Sequence, residues 1–138
     1  MRAFLLGLLL LLPLPAAMAQ QLGGYTHMIY DVHHGTQVEY LAEGGMTFLW
    51  YPGNRVVLEG RWKRQGDDIC FRYGGNTYNP ATGQQGGGWD CMPFGLYWEG
   101  IRERMPGDPF ALATRVDAPF RLDRKQTTLD RLLSRASS

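Results

Sequence analysis

The chain has almost no net charge. Fourteen lysines and arginines stand against 13 aspartates and glutamates, a formal +1 over 138 residues. A chain with no excess of positive charge lacks the electrostatic footprint of a nucleic-acid binder, so that class is set aside. Catalytic signatures are missing as well. There is no nucleophile elbow and no zinc motif, and Gly86-Gly-Gly88 lacks the lysine and the strand-to-helix junction of a phosphate-binding loop. No cofactor is expected. Long hydrophobic runs are absent except at the start, where Ala3 to Leu12 is too short for a comfortable membrane span.

What is there begins with an export signal. Met1-Arg2 is a charged n-region, the apolar run follows, and Ala17-Met-Ala19 is a small-residue cleavage site, so residues 1–19 read as a secretory signal peptide. Cleavage after Ala19 leaves 119 residues (138 less 19), with 13 basic against 13 acidic side chains once Arg2 is gone. That is one domain in size, placed in the periplasm or the medium with no stable membrane span. The two cysteines, Cys70 and Cys91, then meet an oxidising compartment and are expected to be bonded.

Register carries the argument for the fold, because side chains alternate faces along a strand and a slip of one residue exchanges the faces. A three-residue turn at Glu43-Gly-Gly45 sets Tyr40 opposite Phe48 and Val38 opposite Trp50. A turn at Pro52-Gly-Asn54 then sets Trp50 opposite Val56, Phe48 opposite Leu58 and Met46 opposite Gly60. A third, at Gln65-Gly-Asp-Asp68, sets Trp62 opposite Phe71 and Gly60 opposite Tyr73. The three turns converge on one apolar face: Val38, Tyr40, Met46, Phe48, Trp50, Val56, Leu58, Trp62, Ile69, Phe71 and Tyr73. The opposite face carries Gln37, Glu39, Leu41, Thr47, Leu49, Val57, Glu59, Arg61, Lys63, Cys70 and Arg72, and Leu49 and Val57 there ask for a further cover.

Residues 74–90 include six glycines and show no strand period, so they read as a loop tethered by the Cys70–Cys91 bond. Leu96 to Glu103 and Phe110 to Val116 read as two further strands. Thr127 opens a short helix with a capping-box start and a Leu129, Leu132, Leu133 stripe. The fold expected is mainly β: an antiparallel meander of about six strands closing into a small barrel or roll, with a short C-terminal helix. Its parts are the signal peptide 1–19, an N-terminal lead-in 20–35, a β domain 36–116, and a connector with the helix at 117–138.

Four groups of residues are candidates for function. The tethered loop offers Tyr78, Asn79 and Trp89 as a binding surface. The second sheet face offers Glu39, Glu59, Arg61 and Arg72, either as cross-strand ion pairs or as convergent acid/base groups. All three histidines cluster near the start, and His27, Asp31, His33 and His34 are the residues from which a metal site would be built, although their spacing matches no established one. Residues 121–138 hold five basic and two acidic side chains, which favours an acidic partner or an anionic surface.

The Tyr51-Pro-Gly53 turn, the Gly60-x-Trp62 strand and the Cys70 strand with its later Cys91 resemble small exported proteobacterial domains of unknown function, over roughly residues 36–93. Residues 44–62 are also similar to one MORN-type hairpin. The first resemblance implies an envelope protein with one disulfide and no known catalytic residues. The expected function is that of an exported binding or accessory protein of the cell envelope, engaging an envelope protein or a glycan. The alternative is a metal-binding protein or hydrolytic enzyme built on the histidine cluster or the charged face. A third possibility, a structural subunit, would dock through the C-terminal helix.

Overall fold

The computed structural model describes residues 21–79 and 83–138. The signal peptide expected at 1–19 lies outside the described residues, as do Pro80, Ala81 and Thr82. Strands are β1 (Tyr25–Asp31), β2 (Gly35–Leu41), β3 (Met46–Trp50), β4 (Leu58–Gln65), β5 (Asp68–Tyr73), β6 (Tyr78–Asn79), β7 (Gln84–Gln85), β8 (Asp90–Pro93) and β9 (Ile101–Pro106). Two helices, α1 (Phe94–Gly100) and α2 (Leu129–Ala136), complete the fold.

Among the described residues, seven strands form one antiparallel sheet in the order β8-β5-β4-β3-β2-β1-β9, and β6 pairs only with β7. The sheet curls into a half-barrel. Helix α1 follows β8 directly and leads directly into β9, so it joins the two edge strands. Seven helical residues span about 10 Å, roughly two strand spacings, so the curled edges approach each other and are bridged by a helix instead of by hydrogen bonds.

Three hairpins follow their turn residues. Asp31 Oδ1 accepts from the amides of His33 and His34, each at 2.8 Å, and Gly35 takes a φ of 79°, which closes β1 on β2. The Glu43-Gly-Gly45 turn sets Val38 opposite Trp50 and Tyr40 opposite Phe48. Gly66-Asp67 sets Trp62 opposite Phe71 and Gly60 opposite Tyr73. A Cβ on Gly60 would lie 2.6 Å from the Tyr73 ring, so the bare glycine gives that ring its place.

The β3–β4 register differs by one residue from the sequence expectation. Met46 faces Arg61, Thr47 faces Gly60 and Leu49 faces Leu58. The turn at Pro52-Gly-Asn54 forms, with Gly53 at φ 82°, but the chain beyond it leaves β3. Arg55 O accepts from Ala118 N, Val57 N donates to Val116 O, and Val56 bridges Asp117. The C-terminal chain captures residues 55–57, and β4 returns one residue later.

That slip divides the expected single core between the two faces of the sheet. On the outer face, Met28, Val38 and Trp50 pack with Phe110, Leu112, Leu122, Leu129 and Leu132 from the C-terminal chain. On the concave face, Leu41 and Ile69 pack with Leu22, Phe94 and Tyr97, joined by Ile29, Trp62 and Phe71. Helix α1 is thus the plug of the half-barrel.

Other segments also depart from expectation. Tyr25–Asp31 of the lead-in is the central-to-edge strand β1, paired on both sides. Phe94–Gly100 is helical where a strand from Leu96 was expected, because Phe94, Tyr97, Trp98 and Ile101 repeat at helical spacing and face the concave core. Phe110–Val116 forms a 3-10 turn over Leu112–Thr114, started by Asp108, whose carboxylate accepts from the amides of Leu112 and Ala113. The glycine-rich segment contains the β6–β7 hairpin and is pinned by bonds such as Gly87 N to Tyr73 O at 2.9 Å. The C-terminal helix docks, with Leu129 and Leu132 buried, and its cap is Thr128, one residue beyond the position expected.

Candidate functional site

Cys70 and Cys91 face each other directly across β5 and β8 and form a disulfide. This bond pins an otherwise short edge strand, and it fixes what lies on the outer face of β4 and β5. Lys63 is the cross-strand partner of Cys70, and Arg61 is the partner of Arg72, so all four share that face. Continuing the β5–β8 register by one residue places Trp89 beside Arg72. Lys63 Nζ lies 4.4 Å, and Arg72 Cζ 5.0 Å, from the Trp89 ring centroid. Two cations therefore hold one indole over the outer face, each contact worth about 0.5–1 kcal/mol at an exposed site.

The face is basic. Arg61, Lys63 and Arg72 accompany two acids, Glu59 and Asp68, and Trp89 remains 38% exposed. Among the described residues the one ion pair is His34 with Asp31, so these three cations are not neutralised by a carboxylate within pairing distance. Like charges directly opposite each other are unfavourable in a sheet, and Arg61 opposite Arg72 is such a pair. Tyr78, on β6, is 58% exposed. Asn79 follows it in the same short strand.

Glu39 is separated from this group. It lies on the concave face, 6% exposed, where its Oε1 accepts from Thr47 Oγ1 at 2.6 Å and from the Tyr73 hydroxyl. Burial raises its carboxyl above the ordinary value, with the two hydrogen bonds offsetting part of the effect. Burial also raises Tyr73 and Tyr97, and the nearby Glu39 charge adds to both. The convergence of Glu39 with Glu59 considered from the sequence does not occur, because the β3–β4 slip sends them to opposite faces.

The histidine cluster is likewise divided. His27 points into the concave core, fully buried, with its Nε2 3.1 Å from Leu22 O. Burial lowers its pKa from 6.5 to about 4. Asp31 is instead the turn residue of the β1–β2 hairpin. Burial alone would raise its carboxyl, but the His34 amide and ring and the His33 amide hold it below the ordinary value. No group of three histidine, cysteine, aspartate or glutamate side chains is placed to hold a metal among the described residues. No helix among them is long and apolar enough to cross a membrane.

Lys63 was on the charged face from the sequence, but its contact with Trp89 was not foreseen. The signal existed: a cross-strand Cys70–Cys91 pair places residue 89 opposite residue 72. No protein-family model, curated protein or solved structure matches this chain.

Proposed function

We propose that this chain is a small exported binding or accessory protein of the cell envelope, and that it engages an anionic partner through the outer face of β4 and β5. The observation that carries the reading is Trp89 lodged between Lys63 and Arg72, beside Arg61, with no pairing carboxylate among the described residues. An aromatic ring beside an arginine offers a flat apolar contact and charge together, and tryptophan and arginine are residue types enriched at interfaces. A structure that keeps two arginines opposite each other accepts a local cost that an acidic partner would relieve. Export is supported by the leader-like residues 1–19 and by the disulfide, and the resemblance to small exported domains points the same way.

The test is affinity capture from envelope extract with the mature chain, beside a Lys63→Ala, Arg72→Ala, Trp89→Ala variant whose melting is recorded. The expected result is a partner captured by the wild type, lost in the variant, and weakened as salt rises. Identical capture by both proteins would reject the surface.

A further inference from the structure

Three buried side-chain atoms among the described residues have no hydrogen-bond partner: His27 Nδ1, the Tyr97 hydroxyl and Arg104 Nε. They belong to one neighbourhood. His27 on β1 is the direct cross-strand neighbour of Arg104 on β9 and of Glu39 on β2, which sets all three on the concave face. The Tyr97 ring of α1 stands 6.3 Å from the His27 ring. A buried polar group without a partner is costly and rare, so three converging from three elements mark a site.

The hydrogen-bonding capacity of each atom is fixed by its chemistry. The Leu22 carbonyl can only accept, so the His27 Nε2 that lies 3.1 Å from it carries the proton, and Nδ1 is a bare acceptor. Arg104 Nε–H can only donate, and the Tyr97 hydroxyl can do both. Glu39 adds a fourth atom. Thr47 and Tyr73 both donate to its Oε1, which leaves Oε2 without a partner among the described residues, and 6% of the residue's surface stays within reach of water. Burial raises Tyr97 and the Glu39 charge adds to it, so hydroxyl and carboxyl lie within electrostatic reach of each other.

We propose that this neighbourhood binds one hydroxyl group, that of a water or of a small alcohol, which donates to His27 Nδ1 and accepts from the Tyr97 hydroxyl. A fully ionised anion has no proton to give to Nδ1. A cation has no lone pair for the donors and meets the charge of Arg104. A hydroxyl answers both kinds of partner, and it pairs with Glu39 whether that carboxyl is ionised or protonated. Water finds four polar atoms here, within the two to four partners that hold a buried molecule, whereas an alcohol gives up one of these bonds to its carbon. The site shares no residue with the outer face of β4 and β5 and stands independently of the anionic partner proposed there.

The test is cross-relaxation by NMR between the mature chain and water, before and after methanol is added, with urea unfolding of the wild type and of Tyr97→Phe beside it. A long-lived water in contact with the Tyr97 hydroxyl proton or a His27 ring proton is expected. Transfer of that contact to the methyl protons of methanol assigns the site to an organic hydroxyl, and its persistence assigns it to water. Tyr97→Phe is expected to lower the folding equilibrium constant about fivefold, because the bound group loses a partner. An unchanged or raised constant overturns the proposal, since removing an unpaired hydroxyl from the core relieves a cost. A folded wild type in which neither water nor methanol touches these protons overturns it as well.

Discussion

The two halves of the outer sheet face receive opposite treatment. Over β1, β2 and β3 the chain from Phe110 to Leu133 lays down a continuous apolar cover, and Trp50 beneath it is fully buried with its Nε1 donating to Phe120 O at 3.0 Å. Over β4 and β5 no such cover is laid among the described residues. There the side chains include Glu59, Arg61, Lys63, Asp68 and Arg72, and the tryptophan is Trp89, held by cations and partly open to solvent. One residue of slip at β3–β4 is the boundary between them. The difference teaches that a sheet face need not have one character along its width, because each hairpin sets its own phase.

Replacing the tryptophan of each half breaks the comparison most strongly. Trp50→Ala removes a buried aromatic together with a hydrogen bond, and is expected to cost about 3–5 kcal/mol in urea unfolding. Trp89→Ala is expected to cost about 1–2 kcal/mol in the same measurement, since it loses two cation contacts at a partly exposed site. Equal losses would mean that Trp89 is core and the second half is covered after all.

The concave face adds a contrast in pH. His27 titrates at about 4 in the folded chain against 6.5 when unfolded, so its contribution is complete above pH 6.5 and is lost as pH falls toward 4. The shift corresponds to about 3 kcal/mol. Glu39 has the opposite sign: its raised folded value favours the fold at low pH, and that contribution is lost as pH rises through it. His27→Gln is therefore expected to flatten the loss of stability between pH 6.5 and 4, and Glu39→Gln to flatten the loss on the alkaline side. A wild-type profile that is flat on the acid side, with His27→Gln indistinguishable from it, would contradict the buried neutral imidazole.

The smallest effect sharpens the outer-face reading. Arg61→Glu replaces a like-charge pair by an opposite one without touching Trp89, and is expected to raise stability by about 0.5 kcal/mol or less while weakening partner capture. A loss of stability would show that Arg61 makes a favourable contact in place of a strained one.

Much of this architecture was legible before the structure. Gly45, Gly53 and Gly66 adopt the left-handed backbone their turns demand, and the β2–β3 and β4–β5 registers follow directly from those turns. The mainly β class, the disulfide and the short C-terminal helix were legible too, whereas whether that helix docks or frays was not. What failed was the assumption that consecutive turns share one phase. Residues 55–57 pair with 116–118, some sixty positions away, and no local pattern announces a long-range partner that shifts a register. The helix at Phe94 was readable, since Phe94, Tyr97, Trp98 and Ile101 keep helical spacing, but the alternation of Leu96 with Trp98 masked it. Of the site, Arg61 and Arg72 came out opposite each other as expected, whereas Glu39 went to the other side with the slip.

Helix α1 has a consequence for how the chain folds. β1 gains its second neighbour only from β9, some eighty residues later, and the cover of Trp50 comes later still. The hairpins from β1 to β5 can form early and locally, but until residues 94–133 arrive the outer edge of β1 has no partner and two apolar faces stand open. Contacts of such long sequence separation slow the final step, because the intervening chain must be ordered before they are made. The last third of the sequence is therefore the clock of folding, and a fragment ending at β8 would be prone to pair through β1 with its own copies.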